Sequence, residues 1–486
     1  MASDSLPTSL SANQLPTSNF QSAVFDEYLD NARARAGHYL RRLPDRHVGA
    51  RAGREELLTA LRIALPKQGD EGGAVIDLIA EQAERGAVAC NSPRYFGFVV
   101  GGAYPVALAA DWLVSTWDQN AGIYAISPLV SVLEEVAGQW LLDLFDLPRE
   151  SGVGFVTGCQ MANFTCLAAA RHHMLRRVDW DVEADGLQGA PRLHVVASAE
   201  SHVTIDVALR YLGLGTRSVH RVETDAQGRM NVDRLRKVVA SIEGPMIVCA
   251  QAGNVNTGAF DPLREVAQVV RERGAWLHVD SAFGLWARAS DSLRELADGI
   301  ELADSWATDA HKWLNVPYDC GVAIVRHAQD HREAMTSAAA YLIQTRGEER
   351  DAVDWVPEFS RRARGVPVYA TLRALGRDGV QDLMDGSCAR ARQMADALRQ
   401  VEGVSVLNDV VLNQVLVRFG DDDELTRAVI AGVQREGTCW LGGTTWQGKG
   451  AMRISVSNWA TSEVDAERSV AAILRVFHEL RSDVTV

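Results

Sequence analysis

From about Gly152 onward, short apolar runs alternate with longer amphipathic stretches. That alternation constrains the fold more than any other property of the 486 residues. The runs Leu193–Ala197, Met246–Ala250, Trp276–Val279, Ser305–Ala307 and Gly321–Val325 are bounded by turn residues. Val203–Leu212 and Leu263–Arg273 lie between them with helical spacing. Strands that are apolar on both faces need cover on both faces. The pattern therefore predicts an α/β fold, a mostly parallel sheet enclosed by helices.

The rest of the chain changes rhythm on either side. Residues 1–20, rich in Ser, Thr, Asn and Pro, read as a mobile arm. Phe25, Tyr28, Leu29, Ala32, Ala36 and Leu40 recur at helical spacing, so 21–90 is expected to be a helical segment. The sheet falls in a large domain, 91–375, with a helix at Tyr369–Asp382 leading out of it. In 376–486, strands at Val404–Leu407, Val411–Arg418 and Met452–Ser457 and a helix at Glu463–Leu480 predict a small α+β domain.

Composition narrows the partners. The net charge of −14, spread along the chain, argues against nucleic acid or an anionic membrane surface. No run approaches the roughly 20 apolar residues that span a bilayer. The start lacks the basic and apolar regions of a secretory signal. Seven cysteines without a CxxC spacing fit reduced thiols, a cytoplasmic location and no metal site.

Two residues carry most of the chemistry. Asp280 follows Leu277-His-Val279 and so ends a buried strand, where open α/β sheets bind ligands. Lys312 lies on the turn after the Ser305–Ala307 strand, beside His311. A primary amine held there can form a Schiff base with a carbonyl compound. An amine and a carboxylate in these places are what pyridoxal 5'-phosphate requires. Taken singly, Asp280 is as readily a helix cap and Lys312 a surface lysine.

Three further segments join them. Gly154-Phe-Val-Thr-Gly-Cys-Gln-Met-Ala-Asn163 reads as strand, turn and helix start, and free N–H groups at a helix start bind phosphate. His202 follows another strand end and either stacks on an aromatic ring or caps a helix. Asn254 and Thr257 either hydrogen-bond the cofactor or shape their own turn.

With those segments in place, the chain resembles the group II pyridoxal-phosphate-dependent amino-acid decarboxylases, the family of the aromatic-L-amino-acid and glutamate decarboxylases. The resemblance rests on His278-Val-Asp-Ser-Ala-Phe283 and Asp304-Ser-Trp-Ala-Thr-Asp-Ala-His-Lys-Trp313. Gly258-Ala-Phe-Asp-Pro262, Ser92-Pro-Arg-Tyr-Phe96 and Ser127-Pro-Leu-Val130 support it. It implies a fold type I enzyme and a homodimer with a shared active site. Lys312 would carry the cofactor and Asp280 would face the ring nitrogen. His202 would stack on the ring, with Ala282 on the opposite face. Cys159, Gln160 and His311 would surround the phosphate.

Residues Trp117–Tyr124, including Gln119 and Asn120, match a segment that reaches the partner's substrate pocket. Two departures stand out. Cys159-Gln160 replaces the usual Gly or Ala followed by Ser. The expected mobile loop has no tyrosine over Gln344–Asp354, with Tyr341 at its entrance and Trp355 at its exit. In the family, loss of a loop tyrosine accompanies aldehyde rather than amine formation. Another donor such as His202 would preserve the amine outcome.

The expected reaction is decarboxylation of an L-amino acid to CO2 and an amine. Aldehyde formation, another pyridoxal phosphate reaction (aminotransferase or aldolase), and a non-catalytic cofactor-binding regulator are the alternatives. Tyr95, Phe96, Phe98 and Trp286 favour an aromatic substrate. Trp440 to Trp446 offers an aromatic lid, and Arg453 is either a carboxylate anchor or a structural strand residue.

Overall fold

The computed structural model describes residues 22–336 and 349–484. The expected arm, Tyr341 and the first part of the expected loop lie outside these residues. Three helices lead: α1 (Ser22–Arg42), α2 (Arg54–Leu61) and α3 (Gly72–Gly86). Glu71 caps α3 by accepting from the Gly73 and Ala74 N–H groups at 2.7 and 2.9 Å. Helices α2 and α3 contain no buried residue, and Phe25, Leu29, Leu65 and Ile79 remain exposed. Helices α4 (Pro105–Trp117) and α5 (Pro128–Leu144) each start on a proline, whose missing N–H costs nothing there.

A seven-stranded sheet follows: β1 (Gly152–Val156), β2 (His194–Ser198), β3 (Val219–Val222), β4 (Met246–Gln251), β5 (Trp276–Asp280), β6 (Ser305–Asp309) and β7 (Gly321–Val325). Its order is β1-β7-β6-β5-β4-β2-β3, and only β7 runs against its neighbours. Connecting elements are α6 (Cys159–Arg176), α7 (Val182–Asp185), α8 (Val203–Tyr211), α9 (Val232–Ala240) and α10 (Leu263–Arg273), with α11 (Ala328–Met335) after the last strand. Every residue of β4 is buried, as a strand covered on both faces must be. Helix α6 is buried along most of its length against β6 and β7.

Helix α12 (Gly365–Arg399) leaves the sheet and breaks at Gly376, where φ is +64°. The break adjoins the expected junction at 375/376. Beyond it, β8 (Val404–Val406), β9 (Gln414–Phe419), β10 (Gly442–Trp446) and β11 (Lys449–Ser455) form an antiparallel sheet, order β10-β11-β9-β8. Helices α13 (Asp423–Glu436) and α14 (Glu463–Val484) complete this unit.

Several expectations need correction. Strand β3 was not anticipated, because its sequence Val-His-Arg-Val is half polar and only Val222 is buried. The stretch containing Trp440 and Trp446 is largely strand β10, and Trp446 is buried in a small cluster with Leu416 and Ala451. Phe96 packs inside the small domain's core although it was placed in the large domain. Trp286 is fully buried in the large core, its indole N–H donating to the Asp309 carbonyl at 3.1 Å. Tyr95 is buried with Leu43, Val48 and Ala89, and neither it nor Phe96 nor Trp286 is free to meet a substrate.

One buried ion pair locks the region preceding α12. The guanidinium of Arg361 meets both oxygens of Glu134 on α5, at 2.8 and 3.0 Å, and donates to the Ala121 and Phe155 carbonyls, each at 2.8 Å. The two side chains are 0% and 6% exposed. All seven cysteines are free. Among the described residues, no helix is long and apolar enough to cross a membrane.

Candidate active site

Strands β1, β2, β4, β5 and β6 run the same way, so their carboxyl ends share one edge of the sheet. Because β7 returns antiparallel to β6, the 310–320 connection folds back over that edge and carries Lys312 with it. A cavity of about 260 Å³ opens there. Gly158, Gln160, His202, Asp280, Ala282 and Lys312 are among its lining residues. The tertiary structure thus brings together residues from five separate segments.

The Lys312 turn is held by close backbone packing. A Cβ on Gly101 would stand 1.9 Å from the Lys312 carbonyl oxygen, so only glycine permits this approach. The Gly102 N–H donates to Asn315 Oδ1 at 2.6 Å. Phe98, three residues earlier, is 61% exposed and holds a left-handed φ of +54°. That conformation is costly for a bulky residue. Its ring stacks at 6.0 Å on Trp440, which also stacks on Tyr95 at 5.2 Å.

Lys312 Nζ lies 2.9 Å from Asp309 Oδ2. Burial disfavours the ammonium, but the charge of Asp309 outweighs it, and the lysine pKa is raised. The other Asp309 oxygen accepts the Cys159 N–H at 2.6 Å, at the start of α6. A carboxylate at a helix N-terminus is electrostatically favourable. Cys159 is buried, which pushes its thiol well above the usual range, and its Sγ donates to Asp280 Oδ1 at 3.4 Å. Asp280 also accepts from the Ala282 N–H at 3.3 Å and from Asn163 Nδ2 at 3.2 Å.

His202 both caps α8 and lines the cavity. Its Nδ1 pairs with Thr204 Oγ1 at 2.9 Å and accepts the Thr204 N–H at 3.4 Å. Burial lowers its pKa. His311 stacks on Tyr318 at 4.2 Å, and its Nδ1 accepts the Cys320 N–H at 3.0 Å. Burial lowers its pKa as well.

Asn254 behaves otherwise. Its Oδ1 accepts the N–H groups of Asn256 and Thr257 at 2.9 and 3.2 Å, so it shapes its own turn and is not among the cavity's lining residues. Thr257 Oγ1 donates to the Gln227 carbonyl at 2.7 Å. Gln119 is exposed and Asn120 half-buried, and likewise neither lines this chain's cavity; Asn120 Oδ1 accepts the Arg361 N–H at 3.2 Å. Asp309, Asn163 and Thr204 were not proposed as site residues. Asp309 ends β6 as Asp280 ends β5, and that shared strand-end position was the available signal.

Elsewhere, His172, Asp330 and Glu333 converge, but Arg176 reaches both carboxylates, at 2.6 and 2.7 Å. The set is a salt-bridge network.

The residues of the cavity fit pyridoxal phosphate. A buried amine, a hydrogen-bonded carboxylate and a helix N-terminus meet in one ring-sized space. Comparison with known proteins agrees. The pyridoxal-dependent decarboxylase conserved domain matches residues 55–419. The chain belongs to this family of pyridoxal-phosphate-dependent amino-acid decarboxylases. It is 32% identical to the acidic amino acid decarboxylase of Mus musculus over 66% of this chain, which is 59% of that protein's length. It is 24% identical to the aromatic-L-amino-acid decarboxylase of Bacillus atrophaeus over 87% of this chain and 89% of that one. The structure of Oryza sativa TDC with PLP and tryptamine superimposes with a TM-score of 0.89, at 23% identity, covering 95% of this chain and 99% of that one. The architecture is therefore fold type I.

Proposed function

We propose that this protein decarboxylates an L-amino acid to CO2 and an amine, using pyridoxal 5'-phosphate bound at Lys312. The observation that carries the proposal is the convergence of Lys312, Asp280 and His202 on one cavity. When bound, the cofactor supplies a sink for the electron pair left on Cα as CO2 departs. Lys312 would hold it covalently and Asp280 would hold the proton of its ring nitrogen. His202 and Ala282 would flank the ring, and Cys159, Gln160 and His311 would lie toward the phosphate. Asp309 Oδ2, 2.9 Å from Nζ, orients the Lys312 amine and favours its charged form.

An aromatic substrate is favoured by Phe98, which is 61% exposed and lies three residues before Gly101, the glycine packed on the Lys312 carbonyl. Arg453 favours an additional carboxylate. Burial lowers its pKa, and its Nη1 donates to the carbonyl of Val255, a residue of the cavity wall. The named relatives act on acidic and on aromatic amino acids, so a panel of both classes is the deciding assay. Aldehyde formation is the second reading, favoured by the absence of tyrosine over Gln344–Asp354. CO2, amine and peroxide measured together separate the two: peroxide released in step with CO2 overturns simple decarboxylation. Lys312→Ala removes the covalent anchor. Unchanged turnover in that variant would refute the assignment.

A homodimer is part of the proposal. Val75, Leu78 and Ile79 on α3 and Trp112, Leu113 and Trp117 on α4 are exposed, and a second copy would cover them. Gln119 and Asn120 would then face the partner's cavity. Light scattering at the mass of one chain would refute this. Free thiols throughout fit a cytoplasmic location.

A further inference from the structure

We propose that Asn163 is a positioning residue that, through Thr204, joins Asp280 and His202 into one hydrogen-bonded unit with a fixed direction of donation. The inference rests on the cofactor reading above, which assigns these two residues to opposite tasks on one ring.

Asn163 is fully buried on α6, one turn after Cys159. Its Nδ2 reaches Asp280 Oδ2 at 3.2 Å and Thr204 Oγ1 at 3.1 Å. Its Oδ1 faces His278 Nε2 at 2.9 Å. His278 Nδ1 meets Ser305 Oγ at 3.0 Å, and Ser305 Oγ receives the Trp276 indole N–H at 2.9 Å. At the other end, Thr204 Oγ1 meets His202 Nδ1 at 2.9 Å.

The Asp280 end sets the direction. A carboxylate accepts only, so Asn163 must turn its NH2 group toward Asp280. Its oxygen then faces His278, which must carry its proton on Nε2. Burial lowers the His278 pKa to about 4, so the ring is neutral and Nδ1 is bare. Ser305 therefore donates to His278 Nδ1. The indole N–H donates only, and it occupies one Ser305 lone pair. The Asp280 end fixes this polarity, and the Trp276 end is compatible with it.

The second Asn163 hydrogen goes to Thr204 Oγ1. The Thr204 N–H donates to His202 Nδ1, which makes that nitrogen an acceptor, and the Thr204 hydroxyl shares it as a second donor. His202 is thereby fixed as the tautomer with its proton on Nε2, the nitrogen not engaged by Thr204. A free neutral histidine only favours this tautomer, whereas donors at Nδ1 hold it there. Asn163 thus orients the Asp280 carboxylate and, by donating to Thr204 Oγ1, supports the proton position that Thr204 sets on His202.

The test uses protein labelled with 15N-histidine, with and without cofactor, the His202 signal being assigned by His202→Gln. The wild type is expected to show His202 as the Nε2–H tautomer alone. Thr204→Val removes the hydroxyl with little change of shape. It is expected to mix the two tautomers while leaving the absorbance maximum of the bound cofactor in place. Asn163→Ala is expected to disturb both the His202 signal and that absorbance. It should also lower kcat by about 10- to 100-fold, with KM within about threefold. An Nδ1–H tautomer in the wild type overturns the proposal. So does a wild-type His202 signal in Thr204→Val, which carries the test alone if Asn163→Ala fails to fold. A wild-type chain that binds no cofactor refutes the cofactor reading instead, and the tautomer measured without cofactor still decides this one.

Discussion

Replacing Glu134 by Gln should destabilise the protein far more than its single lost charge would on the surface. The variant keeps the side-chain volume, which matters because a Cβ on Gly365 would already lie 2.4 Å from Glu134 Cγ. It leaves Arg361 fully buried with carbonyl partners but no countercharge. At 2.8 Å and an effective dielectric of about 20, the lost attraction is about 6 kcal/mol. Measured losses on breaking buried pairs are about 3–5 kcal/mol, because some reorganisation relieves the orphaned charge. For a chain of 486 residues the shift is about 1 °C per kcal/mol, so the melting temperature should fall by about 3–5 °C. Thermal unfolding followed by near-UV circular dichroism is the assay, with Asp298→Asn as control. That variant breaks an exposed pair with Arg264 and should cost less than about 1 kcal/mol. The double variant Glu134→Met/Arg361→Met should melt above either single change, since it buries no unpaired charge. A Glu134→Gln protein melting within 1 °C of wild type, about 1 kcal/mol, would refute the reasoning.

Two further outcomes are expected. Burial holds His278 at about 4 and His331 at about 3, below the unfolded value of 6.5. Both are bases with depressed pKa values, so the unfolded chain takes up protons first as pH falls. Stability should therefore be constant above about pH 7 and decline between about 6.5 and 4, by about 2 kcal/mol per histidine at pH 5. A urea midpoint equal at pH 8 and pH 5 would contradict this. If Tyr341 donates the proton to Cα, Tyr341→Phe should raise the ratio of peroxide to CO2. An unchanged ratio in Tyr341→Phe together with a raised one in His202→Gln would move the donor to His202.

The alternation of strands and helices was legible because a sheet buried on both faces leaves a continuous apolar record. Asp280 and Lys312 were legible for a related reason: polar residues directly after such strands stand out. Other features left no such record. Val219–Val222 joins the sheet at its edge, where one side is unpaired and polar residues are tolerated. Trp286 and Phe96 are aromatic whether they face a substrate or a core, and packing alone assigns them to the core. Asn254 has the composition of both a ligand and a turn residue.

Local sequence thus sufficed for the kind of sheet, the strand ends and the two residues that define the cofactor, because those depend on neighbours a few positions away. The side-chain partners depended on distant residues meeting. Asp309 reaches Cys159 across 150 positions, and Asn163 reaches Asp280 across 117. Hydrogen bonds act over about 3 Å. Such pairings exist only after the strands have taken their order, and that order is a property of the folded chain.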